Sequence, residues 1–391
     1  MIYNFDEIVD RGIEYSAKYY ELEEKFGDAS LIPMWIADMD FKVAQPIIDA
    51  MQERLNSGIF GYTSRPKFYT DAIIDWFEKR HDWTLDENLL TFSPGVVPAL
   101  SVIISELTET GDNIIIQQPV YSPFESVVKN LGRDLRVNPL IKNAQGDYEM
   151  DYDHLESLMD DQTKFIILCN PHNPVGRVWR REELEKLAEL CLKHKVKVIS
   201  DEIHCDLVFK KNKHIPFATV SEEMAKQTIT CFAPSKSFNI PGLQASIIAS
   251  PDQSTKELIT AAYDKLDITR NNCFSMNATH AAYSGGGDWL DQVMDYIEGN
   301  AEFVADYVAK HIPSIHVTKG DGTYLLWLDC RGLSLSDEDL RSFMIEKAKL
   351  ALGNGADYGI GGSGYQRMNI ACPRSVVEKA LEQLKEAVKS L

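Results

Sequence analysis

Five short runs of apolar, mostly β-branched residues recur from about Asn113 onward, and their alternation with amphipathic stretches constrains the fold more than any other feature. They lie at 114–117, 165–169, 196–200, 228–232 and 246–249. In the second run Phe165, Ile166, Ile167, Leu168 and Cys169 leave no polar face, which suits a strand covered on both sides. Between runs, residues 181–193 bring Leu184, Leu187, Ala188 and Cys191 round at three- and four-residue steps, the period of a helix with one apolar face. Ser122 and Glu125 form a capping-box pattern, and Gly132 follows Val127, Val128 and Leu131 as a stop signal for a further helix. Strand runs alternating with helices predict an α/β unit with a mostly parallel sheet covered by helices.

The C-terminal third reads differently. Helical patterns at 289–310, 337–350 and 375–389 surround strand patterns at 324–328 and 367–371, which predicts a smaller α+β layer. With 391 residues the chain is long enough for two or three core-bearing units. The run Ser284, Gly285, Gly286, Gly287 marks either a domain boundary or a helix-to-helix turn.

A formal charge of −19 and a pI near 4.9 oppose binding to phosphate backbones, so no nucleic-acid partner is expected. The seven cysteines stand singly, without metal or redox spacing, and read as reduced, mostly buried thiols of a cytoplasmic protein. The first twelve residues carry Asp6, Glu7 and Asp10 and no secretory pattern. The stretch 89–107 is broken by Ser93, Pro94, Gly95 and Pro98, so no membrane partner is expected.

The chemistry-bearing residues follow the apolar runs. Lys236, in Ala233–Pro234–Ser235–Lys236–Ser237, comes just after the run ending at Phe232, at the sheet edge where ligands bind in open α/β folds. A lysine there is either a solvated charge or, if its amine is deprotonated, a nucleophile toward carbonyls. Asp201 follows the run ending at Ser200 and either caps the next helix or holds a protonated ring nitrogen. His204 is a second pocket candidate or an ordinary turn histidine, and no metal-ligand spacing surrounds it. Asn170–Pro171–His172–Asn173–Pro174 is a turn whose Asn173 has a donor and an acceptor to offer. Gly95–Val96–Val97 opens a helix whose first amides suit a phosphate.

In order and spacing these segments resemble the aspartate aminotransferase-like family of pyridoxal 5′-phosphate (PLP) enzymes. Asn173, Asp201 and Lys236 stand 28 and 35 residues apart, and Arg367 comes near the end. The resemblance implies Lys236 as covalent anchor and catalytic base, Asp201 at the pyridine nitrogen, Asn173 at the phenolic oxygen and Tyr121 against the ring, with Tyr121 and Tyr62 as further catalytic residues. It further implies that Val96, Val97, Ser235, Ile203 and His204 contact the cofactor and that Arg367 and Ala37 contact the substrate. Tyr62 is expected to reach the phosphate in the neighbouring subunit, which makes the protein a homodimer with shared sites.

Pro33–Met34–Trp35–Ile36–Ala37–Asp38–Met39–Asp40–Phe41, the segment Lys236–Ser237–Phe238–Asn239–Ile240–Pro241–Gly242 and Asn369–Ile370–Ala371–Cys372–Pro373–Arg374 narrow the likeness to carbon–sulfur β-lyases of cystathionine β-lyase, MalY/PatB type. A sulfur amino acid is then the expected substrate. An aminotransferase and a regulatory binding protein are the alternatives. The likeness also implies a seven-stranded sheet and domains at 1–45 (joining the small domain), 46–285 (large) and 286–391 (small). Ala233 and Gln244 stand where many relatives place a phosphate-binding serine and arginine, so the phosphate subsite must lean on the Val96 and Val97 amides, Ser235 and the partner's tyrosine.

Overall fold

Ile114, Ile115 and Ile116 are all buried, but the outer two join one apolar core and Ile115 joins another. Side chains alternate across a strand, so a strand with no polar position must be covered on both faces. The computed structural model, which describes residues 1–12 and 15–391, shows this arrangement throughout the central sheet.

The sheet comprises β1 (Leu90–Ser93), β2 (Asn113–Ile116), β3 (Asp134–Val137), β4 (Thr163–Cys169), β5 (Lys197–Asp201), β6 (Thr228–Phe232) and β7 (Ser246–Ala249). Their spatial order is β1-β7-β6-β5-β4-β2-β3, parallel except for both pairings of β7. Helices Val96–Leu107, Pro123–Asn130 and Gln253–Lys265 cover one face, and Arg181–His194 packs on the other. A second, antiparallel sheet holds β8 (His316–Val317), β9 (Leu325–Asp329), β10 (Gly353–Asn354) and β11 (Tyr365–Asn369) in the order β8-β9-β11-β10. Among the described residues no helix is long and apolar enough to cross a membrane.

The mixed α/β architecture with a seven-stranded sheet is as expected, but three local expectations fail. The five apolar runs form β2 and β4 to β7, whereas β1 and β3 carry no such run. These lie at the two edges, are four residues long and are only partly buried, so the buried-strand pattern is weak there. The capping box does not form: Ser122 itself has helical φ −56° and ψ −29°, and its side chain caps nothing. Glu125 instead accepts from Gln118 at 2.8 Å and from Lys129. The helix expected over 337–350 stops at Glu346, because Leu350 leaves it to pair in parallel with Ile32 of the N-terminal segment.

The Ser284–Gly287 run is the joint between helices Cys273–Gly285 and Gly287–His311. A Cβ at Gly286 would lie 2.5 Å from the Ala282 carbonyl oxygen and from a Phe238 ring carbon, so glycine is needed for the close approach. The N-terminal segment crosses the molecule from Ile32 to Phe41. Asn369 Nδ2 donates to the Ile36 and Asp38 carbonyls, and Asn239 Nδ2 to those of Met39 and Phe41. These bonds lay Trp35, Ile36 and Ala37 over the carboxyl ends of the central strands.

Candidate active site

At those carboxyl ends the chain leaves β1 for Gly95 and Val96, β2 for Tyr121, β4 for Asn173, β5 for Ile203 and His204, and β6 for Ser235 and Lys236. All of them line one cavity of about 520 Å³. Parallel strands end on the same side, so residues far apart in sequence converge without any long loop having to be ordered. Arg367 enters the cavity from β11 of the second sheet, and Ala37 from the N-terminal segment.

Lys236 sits in the four-residue helix Pro234–Ser237, and its Nζ donates to the Ala37 carbonyl at 2.6 Å. Burial lowers its amine from the ordinary 10.5 to about 8, reinforced by the Arg367 cation and opposed by Asp38 and Asp201. Burial raises the Asp201 carboxyl to about 7, although its Oδ1 accepts the Ile203 N–H at 3.0 Å and Lys236 lies nearby. His204 is held neutral, lowered to about 3 by burial and by the Lys236 and Arg367 cations. The Tyr121 phenol is raised by burial and by Asp201, so it stays protonated.

The Arg367 guanidinium is fixed by Nη1 donating to Asn173 Oδ1 at 3.2 Å and Nη2 donating to the Trp35 carbonyl at 2.5 Å, with its flat face 5.2 Å from the Tyr358 ring centre. Its Nε and the Nδ1 of His204 are buried with no hydrogen-bond partner among the described residues. Both residues line the cavity, so these atoms are available to a ligand there. At the start of Val96–Leu107 the first amide bonded back into the helix is that of Ala99, to Gly95. Pro98 has no N–H, which leaves the Val96 and Val97 amides for an anion.

These residues fit PLP. A buried carboxylate suits a protonated ring nitrogen, a partly neutral lysine suits the aldehyde, free helix-start amides suit the phosphate and the Tyr121 ring suits the heterocycle. The structure does not bring Tyr62 into this chain's cavity. Tyr62 is 94% exposed with Arg270 over its ring, so it is no core aromatic, and Phe60 packs on Phe274. Trp35, Tyr358, Asn354 and Asp357 also line the cavity and were not singled out from sequence as site residues. The glycines at 355, 359, 361, 362 and 364, just before Arg367, are the signal that a tight loop feeds the site.

The Asp201 environment predicts a stability cost in the cofactor-free protein. A carboxyl raised in the folded state contributes its full stability below the unfolded value of 3.8 and loses it as pH rises through about 7. Cofactor-free Asp201→Asn is therefore expected to unfold at higher temperature than cofactor-free wild type at pH 8, with the gap closing toward pH 4. Calorimetry across that range checks this, and a pH-independent gap would contradict it.

The family model for class I and II aminotransferases matches residues 31–384. The cystathionine β-lyase PatB of Bacillus subtilis (strain 168) is 43% identical, covering 98% of this chain and all of its own. A PLP-bound structure from Clostridium difficile 630 superposes with a TM-score of 0.97 at 52% identity, covering 99% of this chain and 100% of its own. Cystalysin from Treponema denticola, whose structure contains a pyridoxal 5′-phosphate cofactor, gives a TM-score of 0.97 at 34% identity with both chains fully covered.

Proposed function

The chain belongs to the class I and class II aminotransferase family, and within it we propose a PLP-dependent carbon–sulfur β-lyase that cleaves cystathionine or a related S-substituted cysteine to a thiol, pyruvate and ammonia. The observation that carries a carbanion-forming site is the convergence of Lys236, Asp201 and Arg367 in one cavity. The choice of lyase rests on the relative named cystathionine β-lyase, identical at 43% of positions over nearly the whole chain.

The bound cofactor supplies an electron sink for the pair left on the substrate's Cα. Asp201 holds the ring nitrogen's proton, Tyr121 covers the ring, and Asn173 and His204 offer polar atoms to its substituents. The Val96 and Val97 amides and Ser235 hold the phosphate end. Arg367, already fixed by Asn173 and Trp35, receives the substrate α-carboxylate with its remaining N–H groups. An amine lowered to about 8 is partly neutral near pH 7, so Lys236 Nζ takes the Cα proton. The Cβ–S bond then breaks with its electron pair leaving on sulfur, and the thiolate takes up a proton. The remaining enamine adds water and releases ammonia and pyruvate.

A homodimer completes the reading. Ile59, Phe60, Tyr62 and Phe68 are all exposed, and an apolar stretch of this kind suits a partner surface. On this reading Tyr62 serves the other subunit's phosphate. Six of the seven free cysteines are buried, which suits a reducing compartment such as the cytoplasm. Residues 46–285 form the large domain, and the N- and C-terminal segments the small one.

The test is to incubate the PLP-loaded protein with cystathionine, cystine and S-methylcysteine and to follow pyruvate and thiol together. Equal amounts of both without added 2-oxo acid are expected from cystathionine. Amino-group transfer that depends on a 2-oxo acid, with little pyruvate, would overturn the lyase reading in favour of an aminotransferase.

A further inference from the structure

Asp206 does not line the cavity, and its side chain is 2% exposed. A carboxylate so buried is costly unless its lone pairs are filled. Three groups fill them. Ser237 Oγ donates to Oδ2 at 2.8 Å, Trp76 Nε1 donates to Oδ1 at 3.0 Å, and His81 Nε2 lies 2.8 Å from Oδ1. Cys205, His81 and Asp206 also bring possible metal-ligand atoms within 4.8 Å of one another. Both Asp206 oxygens are already committed, which is the pattern of a clamp rather than of a cation site.

The clamp joins two segments. Ser237 is the residue after Lys236 and ends its four-residue helix, too short to hold its own place. Asp206 ends the turn 203–206, which follows Asp201 at the end of β5 and carries Ile203 and His204 into the cavity. We propose that Asp206 is a positioning residue: through Ser237 it ties the helix bearing Lys236 to the turn that follows Asp201 at the end of β5, and so fixes the distance between the amine and the carboxylate that address opposite ends of the cofactor. This rests on the reading that Lys236 and Asp201 serve one bound PLP. The groups facing Asp206 are His81, His214, Cys205 and Tyr283, and those facing Lys236 are Arg367, Asp38, Asp201 and His204.

The test uses PLP-loaded Ser237→Ala and Asp206→Asn, with Leu384→Ala in the distant C-terminal helix as a control for lost stability alone. A displacement of Lys236 on the order of 1 Å is expected to lower kcat for cystathionine about 10- to 100-fold, with KM within about two-fold. It also alters the distances from Lys236 to Arg367, Asp38 and Asp201, so the pH midpoint of the cofactor's visible band is expected to move in both variants and not in Leu384→Ala. Ser237→Thr, which keeps the hydroxyl, is expected to restore the midpoint. If Asp206→Asn does not fold, Ser237→Ala decides alone. Variants that lower melting temperature while leaving midpoint and kcat at wild-type values would overturn the proposal and make Asp206 purely structural. Wild type without a visible band on adding PLP would instead overturn the cofactor reading on which it rests.

Discussion

Lys236→Ala is expected to lose turnover of cystathionine by at least about 1,000-fold and to lack the visible absorption that PLP acquires on wild type. The substitution removes the cofactor's anchor and the base together, two roles that burial and Arg367 prepare by lowering the amine to about 8. Spectra and pyruvate release measured on the same sample check it. PLP should still enter the cavity, because the Val96 and Val97 amides, Asp201 and Tyr121 are untouched. An added primary amine is therefore expected to recover part of the activity, and a variant as active as wild type would remove Lys236 from the site.

The second large effect is at Arg367. Arg367→Lys is expected to raise KM for cystathionine on the order of 100-fold while leaving the PLP spectrum nearly unchanged. A lysine ammonium cannot donate to Asn173 Oδ1 and the Trp35 carbonyl and still present a planar pair of donors to a carboxylate. The Tyr358 ring, which lies against the flat guanidinium, also loses its partner. Steady-state kinetics beside a PLP titration separates the two effects. An unchanged KM would mean that the substrate carboxylate binds elsewhere.

The site was legible in the sequence where a local signal coincides with a strand end. Asp201 follows its apolar run directly and Asn173 and Lys236 stand four residues after theirs, and parallel strands bring such ends together whatever lies between them. Trp35 and Tyr358 carry no comparable signal. One comes from an N-terminal segment held by Asn239 and Asn369, the other from a glycine-rich loop, and both are placed by contacts between residues hundreds of positions apart. Asp206 was hidden for another reason: its partners Trp76 and His81 share the helix Lys67–His81 while Ser237 ends a helix much further along the chain, and nothing in the spacing of the four residues announces a shared carboxylate. The edge strands were missed because a half-covered strand such as Asp134–Val137 exposes charged residues that read as loop. At Ser122 the cap signal lost to other local partners, since Gln118, seven residues before, and Lys129, one turn after, take the Glu125 carboxylate.

Trapping the cofactor on the protein tests the central claim most directly. The PLP-loaded protein is treated with borohydride, digested and mapped by mass spectrometry. The account predicts one reduced pyridoxyl phosphate group per chain, on the peptide containing Lys236 and on no other lysine, with its yield falling when cystathionine is added first. A pyridoxyl group on a different lysine, or none on a protein that has taken up PLP, would contradict it.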